Sequence, residues 1–139
     1  MTEAEARKNP LATALGTYYP RHYVVAVIDD TGRATQAMAA LQEAGFDDAA
    51  AELCPGPEYL RNYRDFVQGR NLFQRLENLF PSEEQAAVEE YVAEAERGAS
   101  FLTVHAIERG PRERATAILR EHGGHAMRYY GDNAITDLG

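Results

Sequence analysis

The sequence predicts an α+β fold, a ferredoxin-like duplicated βαβ sandwich with a two-helix insert between its two units. Three observations predict it. Residues 32–45 (GRATQAMAALQEAG) and 110–123 (GPRERATAILREHG) are copies of one another, with Gly32 falling on Gly110, Leu41 on Leu119 and Gly45 on Gly123. Each copy follows an apolar, β-branched run, at 22–28 and at 101–107. A weaker apolar run follows each copy, at 49–54 and 126–130. Two β-α-β units in tandem are the signature of a split sheet with its helices on one face.

Residues 1–21 are polar and alanine-rich, punctuated by Pro10, Gly16 and Pro20, and read as an N-terminal arm. Residues 22–28 (HYVVAVI) form a strand without polar alternation, so both of its faces are expected to be covered. Asp29, Asp30, Thr31 and Gly32 make a turn and a helix start, with Asp30 as the cap. Ala34, Ala37, Met38, Leu41 and Ala44 then recur at helical spacing, and Gly45 is the left-handed stop. Alanine is a poor strand former, so 49–54 reads as an edge strand.

The insert spans 57–97. Pro57 suits a first helical turn. Leu60, Tyr63, Phe66 and Val67 form a stripe that Gly69 is placed to break. Leu72, Phe73, Leu76, Leu79 and Phe80 continue it as far as Pro81. Ser82 with Gln85 is a capping box for a helix carrying Val88, Tyr91, Val92 and Ala95 on one side, with glutamates over the rest. Strand 101–107 (FLTVHAI) leads into a turn at Glu108, Arg109 and Gly110, with Pro111 at the first helical position. Ala115, Ile118, Leu119 and His122 make that helix's stripe, which Gly123 ends. Strand 126–130 and a C-terminal tail, 131–139, complete the chain. The single domain is therefore 22–130, with units 22–54 and 101–130. The strongest runs belong in the middle, giving the spatial order fourth–first–third–second.

At 45% hydrophobic residues the chain can bury a full core. A net charge of -8 argues against a nucleic-acid backbone or an anionic membrane as partner. Cys54 is the only cysteine, which excludes an intrachain disulfide and a multi-thiolate metal site. No run reaches the length of a membrane span, and the first residues lack a signal pattern, so a cytoplasmic location is expected.

Candidate chemistry is sparse. The two related turns precede helix N-termini, where backbone N–H groups point outward, so Asp29, Asp30, Thr31, Gly32, Glu108, Arg109 and Gly110 are ligand-binding candidates. His105 sits inside the second strong strand and is the remaining one, as a ligand or proton donor. His122 and His125 flank two glycines that end a helix, so their spacing does not put them on one face; no metal site is expected. Cys54 has no basic neighbour to stabilise a thiolate. No catalytic residue and no cofactor is expected. Both middle strands are apolar in both registers, and the insert spreads Tyr59, Phe66, Leu72 and Leu79 beyond one stripe, which leads to an expected homodimer.

The run V-x-A-V-I-D-D at 24–30, the helix end L-x-E-A-G-F at 41–46, YVAEAERGA at 91–99 and AILREHGG at 117–124 resemble the heat-induced general stress protein domain of the YflT type. The resemblance covers about residues 23–130. It implies a bacterial stress-associated protein and carries over no catalytic residue. The first functional expectation is a non-enzymatic stress-associated binding or protein-interaction module, with a protein or small molecule as partner. The alternative is a small-molecule-sensing regulatory domain with ligand near the repeated turns, and the third a small enzyme using His105. A pocket beside the turns favours the sensor, a polar pocket around His105 the enzyme, and a closed apolar contact the interaction module.

Overall fold

Every residue of β1 (Tyr23–Ile28) is buried, because the strand runs through the middle of a sheet covered on both faces. The computed structural model describes residues 21–70, 82–132 and 134–139. Among these the elements after β1 are α1 (Thr31–Glu43), β2 (Ala51–Cys54), α2 (Gly56–Arg70), α3 (Ser82–Glu96), β3 (Ser100–His105), α4 (Arg109–Glu121), β4 (His125–Tyr130) and β5 (Ile135–Asp137). The fold is α+β. All strand pairs are antiparallel, in the order β2-β3-β1-β4-β5. The neighbours expected for the first four strands are those found.

The fifth strand corrects the sequence reading. Within the C-terminal tail, Ile135 pairs with Tyr130, Thr136 with Tyr129 and Asp137 with Arg128. β4 is therefore internal rather than an edge. β3 ends at His105, so Ile107 lies past the strand and is 58% exposed rather than facing the core. Pro111 is the third residue of α4, not the first. Gly69 lies within α2, whose described residues run to Arg70.

One face of the sheet carries α1 and α4. Val24, Ala26 and Ile28 of β1, Leu102 and Val104 of β3, and Met127 and Tyr129 of β4 pack there against Ala37, Leu41, Ala115 and Leu119. Asp30 caps α1 by accepting the Gly32 N–H at 3.0 Å. The two helices close on corresponding bonds, Phe46 N–H to the Leu41 carbonyl (3.0 Å) and Gly124 N–H to the Leu119 carbonyl (2.8 Å). Gly45 and Gly123 take positive φ at these ends, 104° and 89°, which a β-carbon disfavours.

The insert covers the other face of its own sheet. Tyr59 of α2 and Tyr91 of α3 lie on Phe101, with ring centroids 4.8 and 5.5 Å away, and close over Val25 and Val27. Gly56 begins α2 where the insert leaves the sheet; a β-carbon there would fall 2.4 Å from the Ala99 carbonyl oxygen. Of the two covers expected for this face, the insert or a second subunit, the insert is the one found. Tyr59, expected on the insert's outside, is inside. Leu72 and Leu79 lie outside the described residues, as does the side chain of Phe66. No described helix is long and apolar enough to cross a membrane.

Candidate functional site

The antiparallel pairing of β1 with β3 decides where the candidate residues go. Ile28 lies opposite Ser100 and Tyr23 opposite His105. The turn after β1 and the turn after β3 therefore sit at opposite ends of the sheet. The eight residues picked from the sequence do not form one site. Asp30, Thr31 and Gly32 are occupied with starting α1, Thr31 through its carbonyl, which accepts the Thr35 hydroxyl at 3.0 Å. Glu108 caps α4 without a side-chain bond, and Gly110 makes no close approach that demands glycine. His105 packs its ring against Tyr23 (4.9 Å between centroids) near His22 (6.4 Å).

Arg109 alone of the eight enters a cleft beside α4. α4 lies over the middle of the sheet, and β5 extends the floor past it. The result is a groove of about 530 Å³ between the outer side of α4 and the last two strands. Arg109, Arg112, Glu113, Thr116 and Arg120 form its helical wall. The arginines and Thr116 follow one another at steps of three or four, which puts them on one helix face. Tyr129 and Thr136, paired across the sheet, form the floor with Leu138 beyond them.

The groove is electropositive on an acidic protein. Three guanidinium groups face one carboxylate there, against -8 for the chain. Each arginine has a partner, and that of Arg109 is an exposed ion pair. Arg109 bonds Glu113 at 2.9 Å, Arg112 lies over the Tyr129 ring at 4.3 Å, and Arg120 donates to the Leu138 carbonyl at 2.7 Å. Each guanidinium has five N–H donors, so engaging one edge leaves others for a ligand. The Thr116 hydroxyl, also in the wall, donates to the Arg112 carbonyl at 2.8 Å.

No family model, curated protein or solved structure matches the chain.

At the other end, Asp29 does meet a partner. Its Oδ1 lies 2.8 Å from His125 Nε2, in a cleft of about 460 Å³ that Glu94, Arg97 and Ala99 also line. A register shift between Val25 and Val27 sets His125 opposite Val27, and Ala126 takes a left-handed φ of 48°. The bulge turns His125 onto the insert face, where plain alternation with Arg128 and Tyr130 would have sent it to the α1/α4 face. His122 bonds the Ile118 carbonyl at 2.9 Å, so the two histidines do serve different surroundings.

Beneath the insert, the Tyr91 and Tyr130 hydroxyls share a bond of 3.0 Å, and Arg128 pairs with Glu90 while lying 5.4 Å from the Tyr91 ring. Burial pushes both phenols up. Cys54 is buried: burial first, then Glu58 and Glu52, push its thiol up to about 12, and Arg61, a basic neighbour the sequence did not reveal, pulls it down by less.

The sequence reading missed Arg112, Arg120, Tyr129 and Thr136 as a site. The arginine spacing along 109–120 was a legible signal. The floor was not, because it needs a strand of only three residues.

Proposed function

We propose that this is a non-enzymatic binding module that senses an anionic small molecule, a carboxylate or phosphate carrier, in the groove between α4 and β5. The observation that carries it is the arginine wall at the second strand-to-helix turn, with Glu113, Tyr129 and the Leu138 carbonyl as partners. A volume of about 530 Å³ lies in the range of small-molecule sites. Guanidinium forks favour planar oxyanions. His105 lines neither of these two clefts and packs against Tyr23.

The ferredoxin-like duplicated architecture belongs to this reading. Its support is the strand order and the corresponding closing bonds of α1 and α4. The resemblance of residues 23–130 to the general stress protein domain supplies the context, a stress-associated protein of the bacterial cytoplasm. The homodimer is retained as part of this reading; of the two seams expected for it, the insert and the sheet face, the sheet face is covered by the insert, which leaves the insert.

A thermal-shift screen of the full chain against inorganic phosphate, citrate and ATP tests the groove. Saturable stabilisation is expected from at least one, and the double variant Arg109→Gln/Arg120→Gln should abolish it. Stabilisation that survives in the double variant, or none from any of the three, would count against the proposal.

A further inference from the structure

We propose that Asp29, Glu94 and His125 form a binding site for a divalent transition-metal ion, with Zn²⁺ the best fit. The site lies at the end of the sheet away from the turn that opens the arginine groove and does not depend on it.

Three separate elements bring the donors together. Asp29 follows β1, Glu94 sits on the insert helix α3, and His125 opens β4. Their ligand atoms all lie within 4.8 Å of one another. Around zinc, bonds of about 2.0–2.2 Å put tetrahedral donors about 3.4 Å apart, so a modest rotation of the Asp29 and Glu94 side chains closes the set. Asp29 is exposed and Glu94 half-exposed, which leaves both free to make that rotation.

The rest of the fold aims the donors. Tyr91 and Ala95 of α3 are buried against the sheet, which turns Glu90 and Glu94, one helical turn apart, toward β4. Glu90 takes Arg128, and Glu94 faces His125. The bulge at Ala126 puts the imidazole on that same face. Arg97, the cation on the cleft wall, has its Nη1 bonded back to the Ala93 carbonyl at 3.2 Å.

The donor set selects the metal. A neutral imidazole and two carboxylates offset the charge of a divalent ion. One nitrogen and a small ligand count suit zinc better than calcium, which takes six to eight oxygens at about 2.3–2.6 Å. The cleft of about 460 Å³ has room for water at the remaining position. The nitrogen facing Asp29 is the one that would ligate. Binding then replaces one imidazole–carboxylate hydrogen bond with two metal bonds, and the one ring proton of the neutral imidazole resides on Nδ1; a doubly protonated ring releases its Nε2 proton to solvent.

The test is calorimetric titration of chelator-stripped, tag-free full chain with ZnCl₂, and in parallel with MgCl₂. One zinc per chain is expected, with magnesium much weaker. His125→Ala and Glu94→Gln should each weaken zinc by more than the about tenfold that loss of even an outer-shell partner costs. Asp29→Asn, which keeps a hydrogen-bond acceptor for His125, should weaken it too and covers the case in which His125→Ala misfolds. His122→Ala should bind as the unaltered chain does. No saturable zinc binding, binding indifferent to Glu94→Gln and Asp29→Asn, or binding lost in His122→Ala would overturn the site.

Discussion

The hydroxyls of Tyr91 and Tyr130 lie 3.0 Å apart between the insert helix α3 and strand β4, and both side chains are buried. This bond ties the insert to its own sheet. Replacing either tyrosine with phenylalanine removes one side of it. A double-mutant cycle in urea should therefore show a coupling of about 0.5–1.5 kcal/mol. A coupling near zero would mean that the insert does not seat there.

Leu41 and Leu119 occupy corresponding positions in α1 and α4, and both are fully buried against the sheet. Truncating either to alanine should cost ~2–5 kcal/mol, a large share of a small domain's stability. Chemical denaturation of the two variants checks this, and two changes within a few tenths of zero would refute the packing.

Cys54 links stability to alkaline pH. Its thiol is raised in the folded chain from 9.0 to about 12, chiefly by burial. The unfolded chain therefore ionises first. The contribution is fully present below pH 9 and is lost as pH rises toward 12. Between pH 9 and 12 the loss approaches about 1.4 kcal/mol for each pH unit. Because the buried tyrosines add losses of their own, the check is the difference between the unaltered chain and Cys54→Ala. That difference should shrink or reverse in favour of the variant as pH rises from 8 to 10.5, and a constant difference would contradict it.

Self-association through the insert, as proposed, predicts a dimer in sedimentation equilibrium. A clean monomer of 15.4 kDa would remove that part of the proposal and leave the insert as a lid and nothing more.

Much of the scaffold is legible in the residues. The apolar runs at 22–28 and 101–107 mark the two middle strands because burial on both faces removes polar alternation. Asp30, Gly45 and Gly123 mark helix ends because few residues satisfy those backbone geometries. What stays hidden depends on pairing rather than on pattern. β5 is three residues long and has no period to read. The bulge at Ala126 changes which face His125 occupies without altering the composition around it. Glu94 looks like any other glutamate of its helix, and only the inward rotation of Tyr91 and Ala95 separates it from exposed Glu89 and Glu96. Arg109 could be found as a turn residue, but its partners Tyr129 and Thr136 meet only across β4 and β5.

The anion groove is the central claim, and backbone amide shifts in titrations of isotope-labelled chain with phosphate, citrate and ATP in turn, of which at least one should bind, test it most directly. Saturable shifts along 109–120 and at 136–138, absent in Arg109→Gln/Arg120→Gln, are predicted. Shifts confined to the opposite end of the sheet, around Asp29 and His125, or none at all, would contradict it.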